Sequence, residues 1–142
     1  MPDLLLRAHI WLVATLFPLL ERLLPLRGLL WLAEQPSGWT PYRGVPSDRI
    51  VALVDRRLSR PRQMRRRRCL RQGMTLFHFL RLAGVTAELR IGVLGPAASG
   101  RRLQGHCWVN IAGRDLYPPS GNFVVLLTRV FTAEDSNVSD KA

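Results

Sequence analysis

Between Cys69 and Tyr117 the sequence passes from a helix-like run to strand-like alternation and then turns back on itself. Cys69 to Ala83 is rich in Leu70, Met74, Leu76, Phe77, Phe79, Leu80 and Leu82, and Gly84 suits the left-handed residue that closes a helix. From Val85 to Val93 the pattern alternates imperfectly, with Ala87, Leu89, Ile91 and Val93 on one face and Glu88 and Arg90 on the other. After a Gly- and Arg-rich loop, Gly95 to Gly105, a second strand is expected from His106 to Ile111. Ala112-Gly113 reads as a hairpin turn, and Leu116-Tyr117 begins the return strand. Pro118 and Pro119 interrupt pairing, and Phe123 to Phe131 is a third strand-like run. A helix this apolar has to be covered, so it is expected to lie centrally against the sheet these strands form.

The segments upstream read as helices. Residues 4 to 17 form one apolar helix, Pro18 can open a second, and Pro25 bends or ends it before a short piece from Leu26 to Ala33. The longest stretch free of Lys, Arg, Asp, Glu and His is Ile10 to Leu20, short of the ~20 residues a membrane-spanning helix needs. No basic segment followed by a small-residue cleavage site marks a secretory signal. These helices are therefore expected to be core, with attachment to a membrane or a partner as the alternative not favoured. A Pro- and Gly-rich loop, Gln35 to Pro46, precedes a helix with Ser47 as N-cap and a stripe of Ile50, Val51, Val54 and Leu58. Pro61 ends it, and a basic linker from Arg62 to Arg68 leads to Cys69. The chain thus divides into N-terminal helices and loop (1–46), a core (47–131) and a polar tail (132–142) expected to be disordered.

At 142 residues, 47% of them hydrophobic, the chain is enough for one domain with a core. Cys69 and Cys107 are its two cysteines; they match no zinc-ligand spacing and suggest no secreted disulfide framework, so a reducing cytoplasm is the expected setting. The net charge of +11 comes almost wholly from arginine, concentrated between Arg56 and Arg71. Such a balance suits nucleic acid, an anionic membrane surface or an acidic partner. No nucleic-acid-binding motif and no aromatic interleaving accompany the arginine run, so nucleic acid is not an expected partner.

A cysteine opening a helix and a histidine on a downstream strand is the layout of a thiol nucleophile. Helix N-terminal N–H groups favour the thiolate, and Arg65 to Arg68 add positive charge on that side. Cys69 is the candidate nucleophile and His106 the candidate base. His78, nine residues past Cys69, falls about 180° around the helix and should point away. His9 has no visible partner, and Cys107 faces opposite to its neighbour His106. A third group should orient the imidazole. Asp115 is the nearby acid, yet the simple hairpin register pairs Asn110 with Asp115 and leaves Asp115 roughly 13 Å along the strand from His106. A Cys–His dyad, an orienting backbone carbonyl, Asn110 and Asn122 stay open beside it. The alternative from another class is a non-enzymatic basic adaptor for an acidic peptide or nucleic acid, whose binding would weaken with salt and ignore Cys69.

CLRQGMTLFHFLRLAGVTAELRIGV followed by GHCWVNIAGRDL resembles the bacterial lasso-peptide leader peptidases, the standalone B protein of the microcin-processing type, within the transglutaminase-like cysteine proteases. Cys69-Leu70, Gly84, Ala87, Leu89, Ile91-Gly92-Val93, His106, Trp108-Val109, Gly113 and Leu116 carry the resemblance, which covers roughly residues 45 to 117. It implies an α+β papain/transglutaminase-like core and a cytoplasmic protease that removes the leader from a ribosomally made precursor. The implied partners are a small leader-recognition protein and an ATP-dependent cyclase that closes the macrolactam ring; no metal or cofactor is implied. Cys69 and His106 match the family's nucleophile and base. Cys107 stands where the family usually has Ala, and Tyr117-Pro118 where it tends to carry its acid, for which Asp115 is the stand-in. Acyl transfer, as in transglutaminases, would use the same residues.

Overall fold

A computed structural model describes residues 2–35, 38–59, 68–94 and 104–133. The expected basic linker before Cys69 (apart from Arg68, which begins the helix), most of the Gly- and Arg-rich loop and nearly all of the polar tail lie outside the described residues. Helices α1 (Pro2–Leu23), α2 (Leu26–Ala33), α3 (Ser47–Leu58) and α4 (Arg68–Leu82) are followed by strands β1 (Ala87–Leu94), β2 (Gln104–Ile111), β3 (Arg114–Leu116) and β4 (Phe123–Phe131). All pairings are antiparallel, in the order β3-β2-β1-β4. The result is the α+β arrangement expected, a helix on a small antiparallel sheet with apolar helices ahead of it.

α4 is buried on nearly every side, with Leu76, Phe79, Leu80 and Leu82 all at 0% exposure. One side meets Leu89 of β1 and Val109 and Cys107 of β2; the other meets Ile50, Val54 and Leu58 of α3 and Leu6, Ile10 and Phe17 of α1. At α4's end Gly84 takes φ +70°, a region closed to most side chains, and its N–H and that of Val85 return to the last carbonyls of the helix. The β2–β3 hairpin turns on Ala112 and Gly113, both at positive φ, and keeps the simple register of Asn110 with Asp115.

Three local expectations change. α1 runs unbroken through Pro18, because Ala14 and Phe17 before it and Glu21 after it are all held by the core, so packing carries the helix across the missing N–H. Pro46, not Ser47, is the residue ahead of α3; its extended backbone aims its carbonyl at the N–H groups of Arg49 and Ile50, and no side chain caps the helix. Alternation along β1 breaks at a bulge between Ile91 and Gly92, after which Gly92 and Leu94 are the buried residues. α1 joins the common core along the stripe Leu6, Ile10, Ala14 and Phe17, and α2 through Leu29, Leu30 and Ala33, while Leu5, Trp11, Leu19 and Leu23 remain exposed.

Candidate active site

Cys69 is the second residue of α4 and half-buried. First-turn N–H groups have no carbonyl four residues back, so they leave partial positive charge beside its sulfur. One turn on, Gly73 brings α4 against β2: a Cβ there would lie 2.6 Å from the Cys107 sulfur. Only glycine permits that approach, and it seats the start of α4 at the start of β2. Cys107 is thereby sealed beneath the site. Burial first, and the nearby Cys69 second, push its thiol up to about 12, leaving it protonated and inert near neutral pH.

The Cys69 thiol donates to the Gly105 carbonyl at 3.9 Å, and that carbonyl belongs to the peptide group entering His106. The imidazole is placed by a different bond, 2.9 Å from His106 Nε2 to the backbone carbonyl of Tyr117. A carbonyl can only accept, so Nε2 carries the proton and Nδ1 presents a lone pair. Nδ1 is the ring nitrogen closer to the residue's own main chain, hence closer to the peptide that the sulfur touches. The ring is flanked by Trp108, inclined 29° to it at 5.9 Å between centroids, and by Phe123 at 5.8 Å.

Tyr117 is itself fixed. Its backbone sits at φ +57°, an uncommon value for a side chain of this size. Its phenol donates to the Asp55 carboxylate on α3, and Gln72 of α4 donates to the other oxygen of Asp55 at 3.0 Å. Burial, reinforced by the Asp55 carboxylate, raises the phenol well above its ordinary range, so it remains a donor. Asp55, Gln72 and Tyr117 thus join α3 and α4 to the carbonyl that holds His106.

The structure brings Cys69 to the main chain at His106 and places Asp115 elsewhere. Asp115 accepts from Asn110 at 2.7 Å and from Arg90 at 3.3 Å, and Arg90 also grips Glu88. That cluster secures the hairpin end of the sheet. Asn110 spends its carbonyl on the Gly113 N–H, and Asn122 is exposed. His78 lies on the other side of α4, donating to the Ala33 carbonyl at 3.0 Å. His9 has a partner after all, the Tyr42 hydroxyl at 2.9 Å. Sequence reasoning missed Asp55 and Gln72, which carry no local signal; Tyr117 was visible only as the residue standing where the resembled family tends to carry its acid. Among the described residues, no group of three or more His, Cys, Asp or Glu could hold a metal ion.

A family model described as the transglutaminase-like superfamily matches residues 11–121. No curated protein and no solved structure matches the chain.

Proposed function

Since the chain belongs to the transglutaminase-like superfamily, which includes cysteine proteases, we propose that it is a cysteine peptidase that removes the leader from a lasso-peptide precursor. The observation that carries the peptidase reading is the meeting of the Cys69 thiol, on the first turn of α4, with the peptide entering His106. The substrate reading rests on the ordered pattern from Cys69-Leu70 through Ile91-Gly92-Val93 to His106 and Trp108-Val109. In this reading a leader-recognition protein delivers the precursor and an ATP-dependent cyclase takes the freed core peptide.

The steps follow from the residues in place. His106 Nδ1 takes the thiol proton, and the Cys69 sulfur attacks the scissile carbonyl. The backbone N–H of Cys69, unpaired within the helix, faces the developing oxyanion. The imidazolium then protonates the departing amine of the core peptide, leaving the leader as a thioester on Cys69. Water, deprotonated by the same Nδ1, hydrolyses it. Throughout, the Tyr117 carbonyl holds the Nε2 proton, so the ring keeps one tautomer whenever it is neutral.

Incubation of the protein with precursor and recognition partner, followed by weighing the products, tests this. The expected result is two peptides whose masses sum to the precursor plus one water, with no product from Cys69→Ala or His106→Ala. Cleavage that persists in Cys69→Ala would contradict the proposal.

A further inference from the structure

α1 is apolar on two faces, and only one of them meets the protein. Leu6, Ile10, Ala14 and Phe17 are buried, whereas Leu5, Trp11, Leu12, Leu16, Leu19 and Leu23 point outward, Leu19 at 53% and Leu23 at 69% exposure. At 1.5 Å per residue this outer stripe is about 30 Å long, and α2 adds Trp31 at 60%. These seven large apolar side chains, left outward on the two helices, mark a surface with a use.

Arginines outnumber carboxylates around the stripe. A cleft of about 190 Å³ opens at its edge, between α1 and α3, and is lined by Arg7, Arg56 and Arg57 with Trp11. Arg57 lies 5.7 Å over the Trp11 ring. Arg22 and Arg27 are exposed at the other end of α1 and the start of α2. The carboxylates of these helices are all engaged. Asp3 is bonded to Arg49 at 2.5 Å, Glu21 is buried against Arg71 at 2.8 Å, and Glu34, just past α2, meets Arg129 at 3.5 Å. An anionic surface approaching α1 therefore meets guanidinium groups and hydrocarbon, and, among the described residues of these helices, no carboxylate that lacks a cation.

We propose that α1 docks in plane on an anionic lipid surface, with its leucine and tryptophan stripe at the headgroup–acyl boundary and the Arg7–Arg56–Arg57 cleft on lipid phosphates. The composition is that of an interfacial helix: leucine and tryptophan on the outer face, arginine at its margins. A protein partner would need hydrogen-bonding groups within the contact area, and across the stripe only Thr15 and Arg22 supply them, the Thr15 hydroxyl already donating to the Trp11 carbonyl. α1 does not span the bilayer in this arrangement, because its inner face is bound to the domain from Leu6 to Phe17 and pinned beyond that by the Glu21–Arg71 pair.

Co-sedimentation of the full chain with vesicles tests this, using phosphatidylcholine alone and phosphatidylcholine mixed with phosphatidylglycerol. The expected result is that the protein pellets with the phosphatidylglycerol vesicles and stays in solution with the neutral ones. Arg56→Gln with Arg57→Gln should lower the partition coefficient about 25-fold, at roughly 5-fold per arginine. Leu12→Glu with Leu16→Glu, both exposed positions, should abolish pelleting with the circular dichroism spectrum and melting temperature unchanged. Absence of binding to the anionic vesicles, equal binding to both kinds, or binding indifferent to both double variants would overturn the proposal. So would a stripe that Leu12→Glu and Leu16→Glu show, by sedimentation velocity, to be covered by a second copy of the chain.

Discussion

The His106 Nε2 bond to the Tyr117 carbonyl fixes the imidazole tautomer through a backbone group. A backbone carbonyl cannot be removed by mutation, but its support can. Tyr117→Phe keeps the carbonyl and loses the phenol's bond to Asp55, leaving the positive-φ residue held by less. Turnover of the precursor should fall roughly ten- to a hundredfold with KM little changed, since small misplacement of a reacting group costs up to about 10². Asp55→Asn should reproduce a part of that loss. Asp115→Asn, which weakens only the Asn110 and Arg90 contacts, should stay within a few-fold of the parent. Steady-state kinetics on the precursor rank the three; Asp115→Asn as the worst of them would return the orienting role to Asp115.

At the level of elements, the placement of α4 on β2 depends on the pairing of Gly73 with Cys107. A methyl at Gly73 meets the Cys107 sulfur at 2.6 Å and its carbonyl oxygen at 3.4 Å, so Gly73→Ala should cost about 1–3 kcal/mol. Cys107→Ala removes the sulfur, and the double variant should recover much of the loss; urea unfolding of all four proteins gives the coupling, and strict additivity would show that the two do not press on one another. The sequence displays the ends of this unit well. Gly84 closes α4, Ala112-Gly113 turn the hairpin, and the simple register drawn from that turn is the one found. Those features are local, fixed by backbone conformation at one or two residues. What was illegible is long-range: Tyr117 meeting Asp55 across 62 positions, and Gln72 meeting the same carboxylate from another helix. α1 was half legible, since its apolar residues reveal a helix but not which of its two apolar faces the domain covers.

Over the whole molecule, the contact between α1, α2 and α4 contains a titrating centre. Burial lowers His78 to about 4, against the opposing effect of its bond to the Ala33 carbonyl and with help from Arg81 and His9. The folded pKa is below the unfolded value, so the folded state binds fewer protons at mildly acid pH. The stability from neutral His78 is therefore full above about pH 6.5 and declines as pH falls towards 4, by on the order of 3 kcal/mol at most. Asn at position 78 can keep the donation to Ala33 without titrating. Urea unfolding of His78→Asn should be flatter than the parent between pH 6.5 and 4, and parallel curves would contradict that origin. At its other end the same α4 presents Cys69, the residue proposed to carry the acyl group. That covalent role is tested most directly by mixing the protein with precursor and recognition partner, quenching in acid and measuring intact mass. The account predicts a transient species heavier than the protein by the leader less one water, mapped to Cys69 and labile to hydroxylamine. Product formed at full rate with no adduct on Cys69 at any quench time, and undiminished in Cys69→Ala, would contradict it.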